Sequence, residues 1–178
     1  MANYLPTTAD HIASSTGGYE PQRPNNFKLI VNGLPGGIGD SDIIFLGIEN
    51  LEIPSDEDGV IVIRWGNESR KVSGDTEVSD MPMTLRDFVD AKVRRAFNDW
   101  RNLVYNPDTG VKGLASSYKK TGAIFLTSPD GVTFKRVAQC RGIWPRKRPG
   151  GSLTMNAGNN LVLLDCPLVC DRVTWLQS

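Results

Sequence analysis

The sequence predicts a mainly β fold, a sandwich or barrel flanked by one α-helix. Two observations carry that prediction. About nine or ten short apolar runs, separated by turn signals, read as strands, and one segment alone shows sustained helical periodicity. The composition agrees. With 18 Gly and 11 Pro among 178 residues and 39% hydrophobic content, the chain is turn-rich yet long enough to bury its own core. No apolar run approaches the length that spans a bilayer. Met1 to Gly18 lacks the charged and apolar regions of a secretion signal, so none is expected there.

Taken in order, residues 1–22 are rich in Thr, Ser, Gly and Pro and read as an extended N-terminal arm, ordered only where a neighbour holds it. The remaining residues, 23–178, read as one domain. Arg23-Pro24-Asn25-Asn26 signals a turn, and residues 27–31 a first strand. A Gly-rich loop at 33–39 is followed by Asp40-Ser41-Asp42. A phosphate loop needs Lys-Ser or Lys-Thr there, and the acids repel phosphate. Residues 43–48 continue as a strand. Residues 52–74 read as a projecting hairpin or long loop, with an acidic turn at Ser55-Asp56-Glu57-Asp58-Gly59 and strand-like runs on either side of Gly66-Asn67. The helix is expected near 82–104. Leu85, Val89, Val93, Ala96, Phe97, Trp100 and Val104 recur at steps of three and four, with Thr84 as N-cap. Strand runs resume at 122–127, 134–141, 153–155, 161–165 and 169–175.

Little in the chain carries chemistry. The sole histidine, His11, lies in the arm, which removes most hydrolase designs, and no enzyme, cofactor or metal site is expected. Asp56 and Asp58 have the residue type for calcium but lack enough companions on their turn. Cys140, Cys166 and Cys170 are odd in number, so a closed intrachain framework is excluded. Buried inert thiols and intersubunit disulfides both remain open. Trp144 and Pro145 close a strand run and read as a structural anchor with Trp100. The basic turn Arg146-Lys147-Arg148 reads as solvated, as a patch for an acidic neighbour, or as a phosphate contact.

Charge is zero overall but segregated. Residues 40–90 hold 13 acids against 4 bases, and residues 91–148 hold 13 bases against 3 acids. Such halves can pair internally or present opposite faces to copies of the same chain.

Several short motifs, in order, resemble the tail-tube proteins of contractile-tailed bacteriophages. They are Arg23-Pro24-Asn25-x-Phe27, Glu52-Ile53-Pro54 with Trp65, Lys71-Val72-Ser73-Gly74-Asp75, Phe97-x-x-Trp100, Tyr118-Lys119-Lys120 and Gly142-Ile143-Trp144-Pro145, spread over residues 23–176. The resemblance implies a tail-tube β-sandwich whose inner strands join a ring-wide β-barrel. Six copies would form a ring, and stacked rings would form the conduit for genome delivery inside a contractile sheath. Implied partners are the chain itself, the sheath protein, a baseplate tube-initiator, a tail terminator, and the tape-measure protein and double-stranded DNA in the lumen, with no membrane insertion. The implied location is the virion tail, assembled in the host cytoplasm. On that reading Asp56, Glu57, Asp58, Arg64 and Arg70 are inter-ring contact candidates. Lumen-facing side chains should be neutral or acidic, since a basic wall would hold the genome back. A tailocin or type VI secretion tube is an alternative. A monomeric β-sandwich binding or adhesion module is another, from a different class.

Overall fold

In the computed structural model, residues 25–35, 47–127, 134–155 and 161–175 are described. The arm, the Gly-rich loop from residue 36 and residues 43–46 of the expected strand at 43–48 lie outside them. Among the described residues the order is β1 (Phe27–Val31), β2 (Ile48–Leu51), β3 (Asp56–Trp65), β4 (Glu68–Val78), β5 (Met83–Arg86), α1 (Lys92–Val104), α2 (Ala115–Tyr118), β6 (Lys120–Thr127), β7 (Phe134–Pro145), β8 (Leu163–Asp165), β9 (Leu168–Val169) and β10 (Arg172–Trp175). The expected strand at 153–155 does not form.

The main sheet runs β1-β6-β7-β10, all antiparallel, with β9 added to the end of β7. It curls into a half-barrel. A second sheet, β2-β5-β8, faces it, and α1 packs against β7. Alternate residues of each strand turn inward, as a sheet with one buried face requires. Leu29, Ile124, Cys140 and Ile143 from the main sheet meet Met83, Leu85 and Leu164 from the second and Val93, Phe97 and Trp100 from the helix in one cluster.

The helix starts ten residues later than its periodicity predicts. Met83–Arg86 is instead the central strand of the second sheet, paired with β2 and β8. Thr84 is therefore paired in a strand and caps nothing, and Val89 is fully exposed. The apolar residues at 85, 89 and 93 satisfy a helical step by coincidence, while Met83 and Leu85 satisfy the strand period of two. The break falls at Ala91, which takes a left-handed conformation (φ 52°) as N-cap without a side-chain cap. Asp90 serves the helix start instead, its carboxylate accepting from the Lys92 amide at 3.3 Å.

Trp100 is fully buried, and its indole N–H donates to the Tyr118 carbonyl at 2.7 Å. This bond fastens α1 to the turn that feeds β6. Trp144 behaves differently from the expected anchor. It is half-buried, edge-on to Tyr118 at 5.8 Å, while its neighbours Ile143 and Pro145 are fully buried. Strand alternation explains the difference, since 143 and 145 share the inward face and 144 faces the other way.

Gly142 is the extra residue of a β-bulge. Lys120 pairs with Ile143 and Thr121 with Arg141, so Gly142 has no partner. Its φ is +70°, and a Cβ there would meet the Asp171 carboxylate, which pairs with Lys119 at 2.5 Å.

Four outcomes follow from this packing, all measurable by denaturant unfolding. Trp100→Ala should cost about 3–5 kcal/mol, and Trp144→Ala about 1–2 kcal/mol, because only the first leaves a core cavity. Gly142→Ala should cost at least about 1–2 kcal/mol from the left-handed backbone alone. Ala91→Gly should raise stability by about 1 kcal/mol by relieving the same kind of strain.

Candidate assembly interface

β3 and β4 form a two-stranded ribbon separate from both sheets. It runs from 56 to 78, four residues further along the chain than the hairpin the sequence suggests. Trp65 pairs with Glu68 across Gly66-Asn67. Gly66 has φ +57° while Asn67 stays out of the positive region, the pattern of a two-residue turn with Gly first. At about 3.3 Å per residue, ten residues carry the tip some 33 Å from the root.

The ribbon buries neither face. Every residue of β3 is exposed, including Val60, Ile61, Val62 and Ile63, and Trp65 at the tip is 74% exposed. Directly opposed residues share a face, so Ile61 with Val72, Ile63 with Arg70 and Trp65 with Glu68 make one apolar-centred side. A two-stranded ribbon with no cover is marginal in water.

Charge is sorted along the ribbon. The root, 56–59 with 74–78, holds five acids and no base. The span 60–73 holds Arg64, Arg70 and Lys71 against Glu68 alone. Two root acids are engaged within the subunit. Asp56 accepts from the Trp175 indole at 3.3 Å, tying the root to the end of β10. Asp58 accepts from Thr76 at 2.5 Å and Ser73 at 2.9 Å, and these bonds hold its carboxyl below the ordinary 3.8. Glu57 and Glu77 stand directly opposite one another across the ladder. With Asp75 they line an open groove of about 560 Å³, and none of the three has a partner among the described residues. Like charges directly opposed across two strands repel.

Of the expected contact candidates, Asp56, Glu57 and Asp58 thus cluster at the root, and Arg64 and Arg70 sit near the tip. Reading the sequence missed Asp75, Glu77, Lys71 and Trp65. Counting outward from the Gly66-Asn67 turn finds their pairing to within the one-residue shift that the bulge at Asp58/Val60 introduces.

The basic turn is neutralised inside the subunit. Arg146 pairs with Asp80 at 2.5 Å, Lys147 pairs with Asp165, and Arg148 donates to Asn102 at 2.7 Å. All three thiols are free and buried, so in this subunit none is presented to a neighbour, and the intersubunit disulfide expectation lacks an accessible sulfur. Cys140 and Cys170 contact each other. That hydrogen bond, with burial, pushes the Cys140 thiol well above its ordinary range and holds Cys170 down to about 7, and burial pushes Cys166 up to about 12. Thiolate, not thiol, reacts, so Cys140 and Cys166 are silenced by charge state and burial together and Cys170 is shielded by burial alone. In the native protein Cys140 and Cys166 should therefore label with a thiol reagent at least roughly tenfold more slowly than in the unfolded chain, and mass spectrometry of labelled native and urea-unfolded samples checks this.

The sequence matches no family model, and no curated protein is similar enough to match. The fold, however, recurs in solved structures. One chain of the sheath/tube terminator of an extracellular contractile injection system, PVC, in its extended state, superposes with a TM-score of 0.68 at 16% identity, covering 89% of this chain and 98% of that one. A chain of the anti-feeding prophage tube-terminating cap gives 0.64 at 16% identity over 89% and 93%. A chain of the PVC sheath-tube complex gives 0.60 at 16% identity over 98% and 100%. The protein therefore has the fold found in the tube and tube-end assemblies of contractile injection systems.

Proposed function

We propose that this chain is a structural, ring-forming subunit of a contractile tail tube, in which hexameric rings stack into a hollow conduit inside a sheath. The observation that carries the reading is the β3–β4 ribbon: a long, two-faced apolar and charged element with no cover in its own subunit, on a fold shared with tube assemblies. The main sheet adds to it. The outer edge of β10 has no strand partner among the described residues, and an open edge invites pairing by identical chains. A ring closes such edges, and a heterologous contact between rings extends them into a rod. The partners that follow are copies of the chain, a sheath protein, a baseplate initiator, a terminator, and the tape-measure protein and DNA within the lumen of a phage tail. A tailocin or secretion tube uses the same contacts with a different cargo.

A second reading has a specific observation behind it. Two of the similar structures named above are a tube terminator and a terminating cap, so this chain can instead form one ring that ends a tube.

Negative-stain electron microscopy of the purified protein, concentrated in low salt, distinguishes the two. Hollow rods are expected for a tube subunit and discrete rings for a terminator. Monomers that persist at high concentration contradict both.

A further inference from the structure

The geometry points to a particular partner for the acidic root of the ribbon: the basic tip of the ribbon of a second copy, which seats Arg70 from one face of the tip, with Arg64 and Lys71 on its other face, against Glu57, Asp75 and Glu77. This inference rests on the tube reading and names the contact that would join one copy to the next.

Three observations converge on it. First, Glu57 and Glu77 face each other directly, with Asp75 beside them in the same open groove, and none is neutralised among the described residues. The subunit thus holds a repulsive cross-strand pair that an external cation relieves. Second, the chain carries a matching cationic group that it also leaves without partners: Arg64, Arg70 and Lys71 are exposed and form no ion pair among the described residues. Third, the tip cations do not reach the groove of their own ribbon, because Arg64 and Arg70 stand six to seven residues along the ladder from Glu57, about 20–23 Å. The tip of another molecule can reach it.

The two ends are different surfaces, so the contact is heterologous and repeats without closing on itself, which is the symmetry of a stack. The apolar stretch between them, Ile61, Ile63 and Val72, lies on the same side as Glu57, Glu77 and Arg70. Overlap of successive ribbons covers it. The acidic groove as a metal site is less well supported, as no described cluster of acids, His or Cys is arranged to hold a metal ion.

Charge reversal tests the contact on the full chain. The tip variant carries Arg64→Glu and Arg70→Glu, and the root variant carries Glu57→Lys and Glu77→Lys. Thermal melting checks that each is folded, and the ribbon lies outside the core cluster, so midpoints near the unaltered protein's are expected. Each variant alone should lose pelletable rods by roughly tenfold or more, since each sets like charges against each other. Mixing the two should restore rods, because each reversed end then meets its complement on the other chain. A chain carrying all four substitutions should assemble alone. Rods from either single-end variant at the unaltered level, or no recovery on mixing, overturn the contact while leaving the tube reading in place. An unaltered protein that forms no rods removes the tube reading itself, and this contact with it.

Discussion

A two-stranded ribbon has two faces and two edges, and it can cover none of them by itself. Stable β structure normally needs a third strand, a second layer or a helix against one face. In this protein the requirement is met almost everywhere. The half-barrel sheet packs on β2-β5-β8 and on α1, and Leu29, Met83, Leu85, Phe97, Trp100 and Ile143 share one interior. Among the described residues it is unmet only in β3 and β4, where twenty-one residues stand clear of both sheets with every β3 side chain in solvent. Apolar exposure on this scale marks a surface made for another molecule. The body of the chain is therefore covered by its own packing, and the ribbon is not.

The folded body fixes the direction of that ribbon. Its root is held at three points: Ser55 and Ser79 are joined through the Ser55 amide and the Ser79 hydroxyl at 2.9 Å, Asp56 is held by Trp175, and Pro54 is fully buried just before β3 begins. These contacts fix the direction in which the strands leave the core, while the strands themselves remain unsupported. The charges follow the same division. Several basic residues of the body are paired locally, Arg146 with Asp80, Lys147 with Asp165 and Lys119 with Asp171. Among the described residues Glu57, Asp75 and Glu77 at the root and Arg64, Arg70 and Lys71 near the tip have no such partner. Part of the segregation visible across the whole chain thus resolves into internal ion pairs at the body, and along the ribbon it persists as an acid-to-base gradient.

How much of this was legible in the sequence depends on how local the deciding force is. The turn at Gly66-Asn67, the Phe97 and Trp100 pair at helical spacing, and the mainly β architecture all follow from short-range pattern, and the structure has each of them. The start of the helix did not follow. Residues 83–93 satisfy both a helical and a strand period, and the choice was made by β2 and β8, which lie far away in sequence and pair on both sides of β5. Trp144 reads in the sequence as an anchor alongside Pro145 and Trp100 because it is large and sits beside a proline. Strand alternation instead sends its neighbours inward. The cysteine count excluded a closed framework but held no trace of the Cys140–Cys170 contact, which depends on β7 and the turn before β10 meeting across the sheet. The charge sorting of the ribbon was half visible. Its acids and bases are plain in sequence, but the Glu57–Glu77 opposition requires the bulge at Asp58/Val60.

The account rests on the ribbon being ordered by other copies of the chain, and hydrogen exchange of its backbone amides tests that most directly. In dilute subunits the amides of 60–73 should exchange within the fastest class, while those of β6 and β7 exchange slowly. In assembled material the ribbon amides should become protected to the level of the main sheet. Slow exchange of 60–73 in the dispersed monomer, or exchange in the assembly as fast as in the monomer, would contradict the account.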